Sequence, residues 1–332
     1  MAPQVPARFW EPAGREGQLR CGLCHHRCVI APGAKGACGV RRNDGGTLVL
    51  PYYGRISSAS VDPMEKKPLY HFMPGSSVYS VGYLGCNLHC PYCQNFGISQ
   101  STTAPSRYLS PRDLVDAAAS SGAPSLAHTY SEPLVHAEYV IESMKLARAA
   151  GLKNVLVTNG CALEQPAGEI LRLCDAVNVD IKAWNGDWYR AELGGDLPTV
   201  LAFVRLAYEL GVHVEATTLV IPGRNDADDD IAGISAFLAS LSPDIPLHLS
   251  AYRPMYRYTV RPTPESTITR LERIARQSLR YVYAGNLWSE RNDTLCPHCG
   301  AVLVSRSGYR VDARGLSGNA CARCGRPAPI RT

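Results

Sequence analysis

GYLGCNLHCPYCQN, residues 82–95, sets Cys86, Cys90 and Cys93 at a C-x3-C-x2-C spacing directly behind the run SVYSVGYLG, which reads as a strand. Three sulfurs in so short a loop face one point. A [4Fe-4S] cube has four irons and is normally held by four thiolates, so three local cysteines leave one iron open for a substrate or cofactor. The alternative is a zinc site completed by His89 or by a distant ligand, because zinc also takes tetrahedral sulfur. The position of the loop, at the carboxyl end of a strand in a repeating βα pattern, favours the cluster.

Outward from this loop the pattern repeats. PRDLVDAAASSG reads as a short helix, PSLAHTY as a strand, and residues 133–150 as a long helix closed by Gly151. KNVLVTN, DAVNVDIKA, VHVEATTLVI, PLHLSAY and YVYAG continue the strands, while EQPAGEILRLC, PTVLAFVRLAYELG, DADDDIAGISAFLAS and PESTITRLERIARQS supply helices between them. Short βα connections require parallel strands and right-handed crossovers. The expected fold class is therefore α/β, a helix-covered parallel sheet curled into a full or partial barrel, with its ligand at the carboxyl ends of the strands. The repeat predicts a core over residues 76–285. Residues 1–75, rich in Gly, Pro and Cys, predict an N-terminal Cys-rich module held by its own ligands; residues 286–332 predict a third module with two C-x-x-C pairs.

The thirteen cysteines fall into groups, leaving Cys161 and Cys174 as isolated and buried thiols. In a reducing compartment, short C-x-x-C spacings read as metal or cluster sites before disulfides. Cys296, Cys299, Cys321 and Cys324 form two knuckles, each followed by Gly, and resemble a zinc ribbon whose closed four-thiolate site is structural. Arg306, Arg310, Arg314, Arg323 and Arg326 read as its charged surface, with nucleic-acid or protein binding as the alternative. Cys21, Cys24, Cys28 and Cys38 predict another four-thiolate centre, zinc or an auxiliary iron–sulfur cluster, in which His25 or His26 can replace one sulfur.

Composition narrows the classes further. The 332 residues are 45% hydrophobic, enough for a full-sized core. Apolar runs fall far short of the roughly 18 residues that cross a bilayer, and the N-terminal segment lacks the apolar region of a secretion signal; a cytoplasmic protein without membrane contact is expected. The 34 basic and 29 acidic residues are interspersed, so charge gives no reason to expect a nucleic-acid partner.

C-x3-C-x2-C after the first strand of a βα repeat resembles the signature of the radical S-adenosylmethionine (SAM) superfamily. DPMEKKPLYHFMPGS, TYSEP, VTNG, VDIKAW, TLVIPGRND, PLHLSAYRPMY, YVYAGN and a terminal CPHCG look like the radical SAM enzymes of the AmmeMemoRadiSam system, which are similar to glycyl-radical-enzyme activases such as pyruvate formate-lyase activating enzyme. The resemblance extends from about Cys21 to Cys324. It implies a partial (β/α)6-type radical SAM barrel between the two flanking modules, a [4Fe-4S] cluster on Cys86, Cys90 and Cys93, and SAM chelated by the open iron and cleaved reductively to a 5'-deoxyadenosyl radical that abstracts hydrogen from a substrate the sequence leaves open. It also implies a flavodoxin- or ferredoxin-like electron donor, and linkage with Memo-family and AMME-family proteins.

The same resemblance distributes SAM contacts. Tyr92 matches an aromatic common before the third cysteine. Tyr130, Ser131 and Glu132 stand where a G-G-E-like segment binds the SAM amino group, although Glu132 reads equally well as an acid at a helix N-terminus. Thr158 and Asn159 end the third strand, Asp180 and Lys182 the fourth, and His248, at the end of the sixth, matches a position that reaches the SAM carboxylate. Ile221, Pro222 and Gly223 are expected against the adenine, and Tyr252, Arg253 and Tyr256 at the substrate mouth. Two other readings remain: an activase that makes a glycyl radical on a partner enzyme, and a multi-zinc scaffold that binds nucleic acid or protein.

Overall fold

The computed structural model describes residues 4–287 and 292–332; residues 1–3 of the predicted first module and 288–291 of the predicted third lie outside the described residues. Seven parallel strands form the centre: β1 Ser77–Gly82, β2 Ser125–Thr129, β3 Lys153–Thr158, β4 Ala176–Asp180, β5 His213–Val220, β6 Leu247–Ala251 and β7 Val282–Gly285. They lie side by side in chain order, and β7 does not meet β1, so the sheet is an open, partial barrel. All five residues of β2 and seven of eight in β5 are buried, the nearly continuous burial of strands covered on both faces.

Helices α1 Pro111–Ser120, α2 Ala137–Ala149, α3 Glu164–Leu171, α4 Gly186–Leu193, α5 Leu197–Glu209, α6 Asp228–Leu241 and α7 Glu265–Ala275 cover the sheet. α1 starts where its sequence dictates: Ser110 and Asp113 form a reciprocal capping box and Pro111 occupies the first turn. The helix expected over residues 133–150 is split. Glu132 caps a 3-10 turn, Pro133–His136, before α2 begins.

Besides the short strands of the flanking modules, the helix Phe96–Ser99 and the strand Arg107–Tyr108, an edge strand and a helix escape the sequence pattern. Ser58–Pro63 pairs antiparallel with the whole of β1, from Ser58 opposite Gly82 to Pro63 opposite Ser77, and extends the sheet into the predicted first module. Helix α4 follows Asn185, whose side chain accepts from the amides of Asp187 and Trp188, and ends at left-handed Gly194.

Both flanks are tied to the sheet. Buried Arg41 pairs with Glu138 of α2 at 2.6 Å, and Leu163 donates to the Leu23 carbonyl. At the other flank, Arg331 N–H donates to the His71 carbonyl while the Arg331 carbonyl accepts from Met73 N–H, and Arg306 donates to the Tyr70 carbonyl at 2.6 Å. Arg306 is 4% exposed and so departs from the charged-surface reading of the C-terminal arginines. Its neighbours Arg310, Arg314, Arg323 and Arg326 are exposed. Among the described residues no helix is long and apolar enough to cross a membrane.

Candidate functional site

The cysteine loop leaves β1 through Gly85, which has φ +81; a Cβ there would meet the Cys38 carbonyl and Val40 at 2.6 Å. The loop is pinned along its length. Gly85 donates to the Ile98 carbonyl, His89 to Leu193 at the end of α4, and the Asn87 side chain to the Cys161 carbonyl. Leu88 N–H donates to Cys86 Sγ at 3.3 Å, Asn159 Nδ2 lies 3.7 Å from the same sulfur, and Ser99 Oγ is 3.2 Å from Cys93 Sγ. Burial, reinforced by Glu132 and the neighbouring thiols, pushes the Cys86 thiol well up, and burial holds Cys90 at about 11. Burial raises the isolated Cys161 and Cys174 thiols in the same way, so it is the convergence of the three sulfurs on one space, not their desolvation, that marks the set.

Beside the loop lies a cavity of about 630 Å³ at the carboxyl ends of the strands, lined by Cys86, Cys90 and Cys93 and by Tyr92, Tyr130, Ser131, Glu132, Thr158, Asn159, Asp180, Lys182 and His248. Twelve residues scattered over nearly half the chain thus meet at one space. Glu132 joins two strand ends: its carboxylate accepts from Thr158 Oγ1 at 2.7 Å, Asn159 N–H at 2.9 Å and Leu134 N–H at 3.0 Å. Burial outweighs these donors and raises it to about 7. Asp180 and Lys182 pair at 3.0 Å. Burial works against the Lys182 charge, but Asp180, Cys90 and Tyr92 hold its pKa above the ordinary lysine range. Tyr130, standing where the family pattern has glycine, adopts φ +66, a conformation glycine favours.

Some placements differ from expectation. His248 is the second residue of β6, not its end; it reaches the cavity because β5 is long and the register sets Asp180 beside Thr217 and Thr217 beside His248. Ile221, Pro222 and Gly223 do not line the cavity; Thr217 and Leu219, earlier on the strand, take that wall. Nor do Tyr252, Arg253 and Tyr256. Tyr252 is buried with its hydroxyl on the Tyr258 carbonyl, and Tyr256 stacks on Phe96 with ring centroids 4.5 Å apart.

The sequence reading passed over Lys67, Tyr70 and Glu215. Lys67 lines the cavity, pairs with Asp62 at 2.7 Å and lies 4.4 Å over the Tyr130 ring. Glu215 accepts from His248 Nε2 at 2.6 Å, His213 Nε2 at 2.9 Å and the backbone amides of Tyr70 and His71. A signal existed for Lys67 and Glu215: acid–base spacing in DPMEKK, and a carboxylate inside the apolar run VHVEATTLVI.

The flanking cysteines divide by spacing. Cys296 and Cys324, and Cys299 and Cys321, stand 3.7 Å apart, and all four sulfurs lie within 4.8 Å of one another. A tetrahedral ion with sulfur ligands at ~2.3 Å sets its ligands roughly 3.8 Å apart, so this set fits one metal ion. The His298 amide, among other donors, pulls the Cys296 thiol down to about 6. Among the described residues no other three histidine, cysteine or carboxylate ligand atoms come this close, the N-terminal four cysteines included.

Comparison with known proteins agrees with this geometry. The family model of the radical SAM superfamily matches residues 80–233. An uncharacterized protein of Methanocaldococcus jannaschii is 38% identical over 306 residues, covering 90% of this chain and 91% of that one. Pyruvate formate-lyase 1-activating enzyme of Escherichia coli K12 is 22% identical over 217 residues, 59% of this chain and 87% of that one. Among solved structures, Streptococcus suis SuiB bound to S-adenosylmethionine shares the fold with a TM-score of 0.52 at 13% identity, covering 68% of this chain and 53% of that one. The chain belongs to the radical SAM superfamily.

Proposed function

We propose that Cys86, Cys90 and Cys93 hold a [4Fe-4S] cluster with one iron open to SAM, and that the enzyme uses SAM to abstract hydrogen from an organic substrate. When bound, the reduced cluster supplies the electron that splits the sulfonium into methionine and a 5'-deoxyadenosyl radical. The observation that carries this reading is the one cavity shared by the three thiols and the polar strand ends. Glu132, steadied by Thr158 and Asn159, offers its carboxylate to the SAM ammonium together with Tyr130 and Ser131. His248, fixed on Glu215, and Lys182, fixed on Asp180, face the SAM carboxylate. Tyr92, stacked on Trp188, closes the loop side against water and stray hydrogen donors. Anaerobically reconstituted protein should contain cluster iron and sulfide and release 5'-deoxyadenosine, measured by HPLC, after dithionite addition. Colourless protein that yields no nucleoside would reject the assignment.

Zinc is the ion proposed for Cys296, Cys299, Cys321 and Cys324, from the 3.7 Å sulfur separations. Membership of the AmmeMemoRadiSam group, with Memo- and AMME-family proteins as associates and a flavodoxin- or ferredoxin-like donor, is the corresponding cellular reading. The similarity to pyruvate formate-lyase 1-activating enzyme supports a second reading, a glycyl-radical activase; electron paramagnetic resonance of a candidate partner enzyme, showing or lacking a glycyl radical, separates the two.

A further inference from the structure

Outside the cavity, the N-terminal cysteines make the most developed unassigned site. Cys21 and Cys24 are buried, whereas Cys28 and Cys38 are half-buried beside the exposed residues 31–35. Backbone amides face every sulfur: Ala37 donates to Cys28 Sγ at 3.4 Å, Leu23 and His26 supply Cys21 and Cys24, and Val40 and Arg41 supply Cys38. The Arg41 side chain, 1% exposed, lies within electrostatic reach of Cys21 and Cys38, and its Nε–H has no hydrogen-bond partner. Arg41, whose charge is paired with Glu138, keeps one unused buried donor near Cys21 and Cys38, and with the backbone amides it gives the thiols a donor-rich setting that suits a negatively charged centre.

Spacing distinguishes which centre. The C-terminal sulfurs collapse to the separations of a single ion, while no three ligand atoms of Cys21, Cys24, His25, His26, Cys28 and Cys38 lie within 4.8 Å of one another. The same wide spacing holds for Cys86, Cys90 and Cys93. A cubane spreads its thiolates over separate iron corners, so wide spacing fits a cluster and tight spacing fits zinc.

The inner edge of this site abuts the central loop. The Cys38 carbonyl is the group that leaves Gly85 no room for a Cβ. The Asn87 amide donates toward Cys24 Sγ; Asn87 Oδ1 accepts from Asn159 Nδ2 at 2.9 Å, and Asn159 Nδ2 faces Cys86 Sγ at 3.7 Å. Two buried carboxamides therefore span the distance from one sulfur set to the other.

We propose that Cys21, Cys24, Cys28 and Cys38 hold a second [4Fe-4S] cluster that passes one electron, through Asn87 and Asn159, to the cluster on Cys86, Cys90 and Cys93. The N-terminal cluster is oxidised from the 1+ to the 2+ state as the central one is reduced from 2+ to 1+. A low-potential one-electron carrier of the ferredoxin or flavodoxin class restores the first at its half-buried Cys28 and Cys38 edge. The relay rests on the central cluster assignment, but the second cluster does not. Metal analysis and Mössbauer spectroscopy of anaerobic full-length protein should give about eight irons in cubanes and one zinc per chain. The Cys86→Ala/Cys90→Ala/Cys93→Ala variant should keep about four irons, with a reduced-cluster paramagnetic resonance signal that SAM leaves unchanged. Four irons with two zincs in the wild type, or an iron-free triple variant, would overturn the second cluster. Asn87→Val should retain both clusters yet slow reduction of the central one in freeze-quench experiments, and an unchanged rate would overturn the relay.

Discussion

Glu215 shows how one buried carboxylate can organise a binding wall. It has no exposed surface, and its four donors come from β5, β6 and the segment before β1. Burial alone would raise its pKa, but the hydrogen bonds from His213 and His248 outweigh burial and hold it below the ordinary glutamate range. Glu215→Gln should destabilise the protein by about 3–5 kcal/mol at pH 7, measured by anaerobic denaturant unfolding. Because the folded pKa is depressed, the stabilisation is complete above the unfolded value of about 4.3 and disappears as pH falls further; the gap between wild type and variant should narrow below about pH 4. Glu132 gives the second test at this scale. Glu132→Gln should weaken SAM binding about tenfold or more, the loss of a charge-assisted hydrogen bond, with cluster iron unchanged; calorimetry on reconstituted enzyme would show it, and an unaltered affinity would confine Glu132 to joining strand ends. That Cys86, Cys90 and Cys93 gather on one cavity could be expected from spacing because they share one loop. Glu215 could not, since its role depends on partners 33 and 145 residues away that no periodicity links.

The strands were legible because each is an apolar run between turn residues, and burial on both faces leaves little else for such runs to be. Ser58–Pro63 was not. Its short alternation is inverted, with Ala59 and Val61 exposed and Asp62 buried, and it ends in Pro, as suits an edge strand whose place is set by pairing with β1. Helix α4 was hidden for a related reason: eight residues beginning with Gly carry too short a period to register, and the Asn185 cap defines it more than its apolar positions do. The element with the narrowest tolerance is the turn from β1 into the cysteine loop. Gly85→Ala costs about 1–2 kcal/mol from left-handed backbone alone, and its methyl group must also displace the Cys38 carbonyl from 2.6 Å. Such a variant should fold less stably and lose cluster iron, read as iron per chain after reconstitution. Full iron occupancy at wild-type stability would show that the loop does not need this close approach.

At the scale of the whole molecule, the C-terminal cysteines are not among the described residues that line the cavity, although Tyr309 of the same module is, and a chain of contacts joins the module to it. Arg306 rises from their small sheet and is held by the Asn292 carbonyl, Thr294 Oγ1 and the Tyr70 carbonyl. Its guanidinium lies 4.4 Å over the Tyr70 ring, and that ring meets His248 edge-on at 4.7 Å, with both Tyr70 and His248 facing the cavity. A metal ion that fixes the two cysteine knuckles therefore also fixes one wall of the proposed SAM site. Cys299→Ser/Cys324→Ser should release one metal ion per chain and leave the central iron in place. Coupling through such packed contacts is typically 0.5–2 kcal/mol, so SAM affinity should fall about 2–30-fold by calorimetry. Arg306→Lys, which keeps the charge but loses the forked donors and much of the ring stacking, should reproduce part of that loss with the metal retained. If the metal-free variant binds SAM as tightly as wild type, the C-terminal module stabilises itself alone and Tyr70 is positioned from within the sheet.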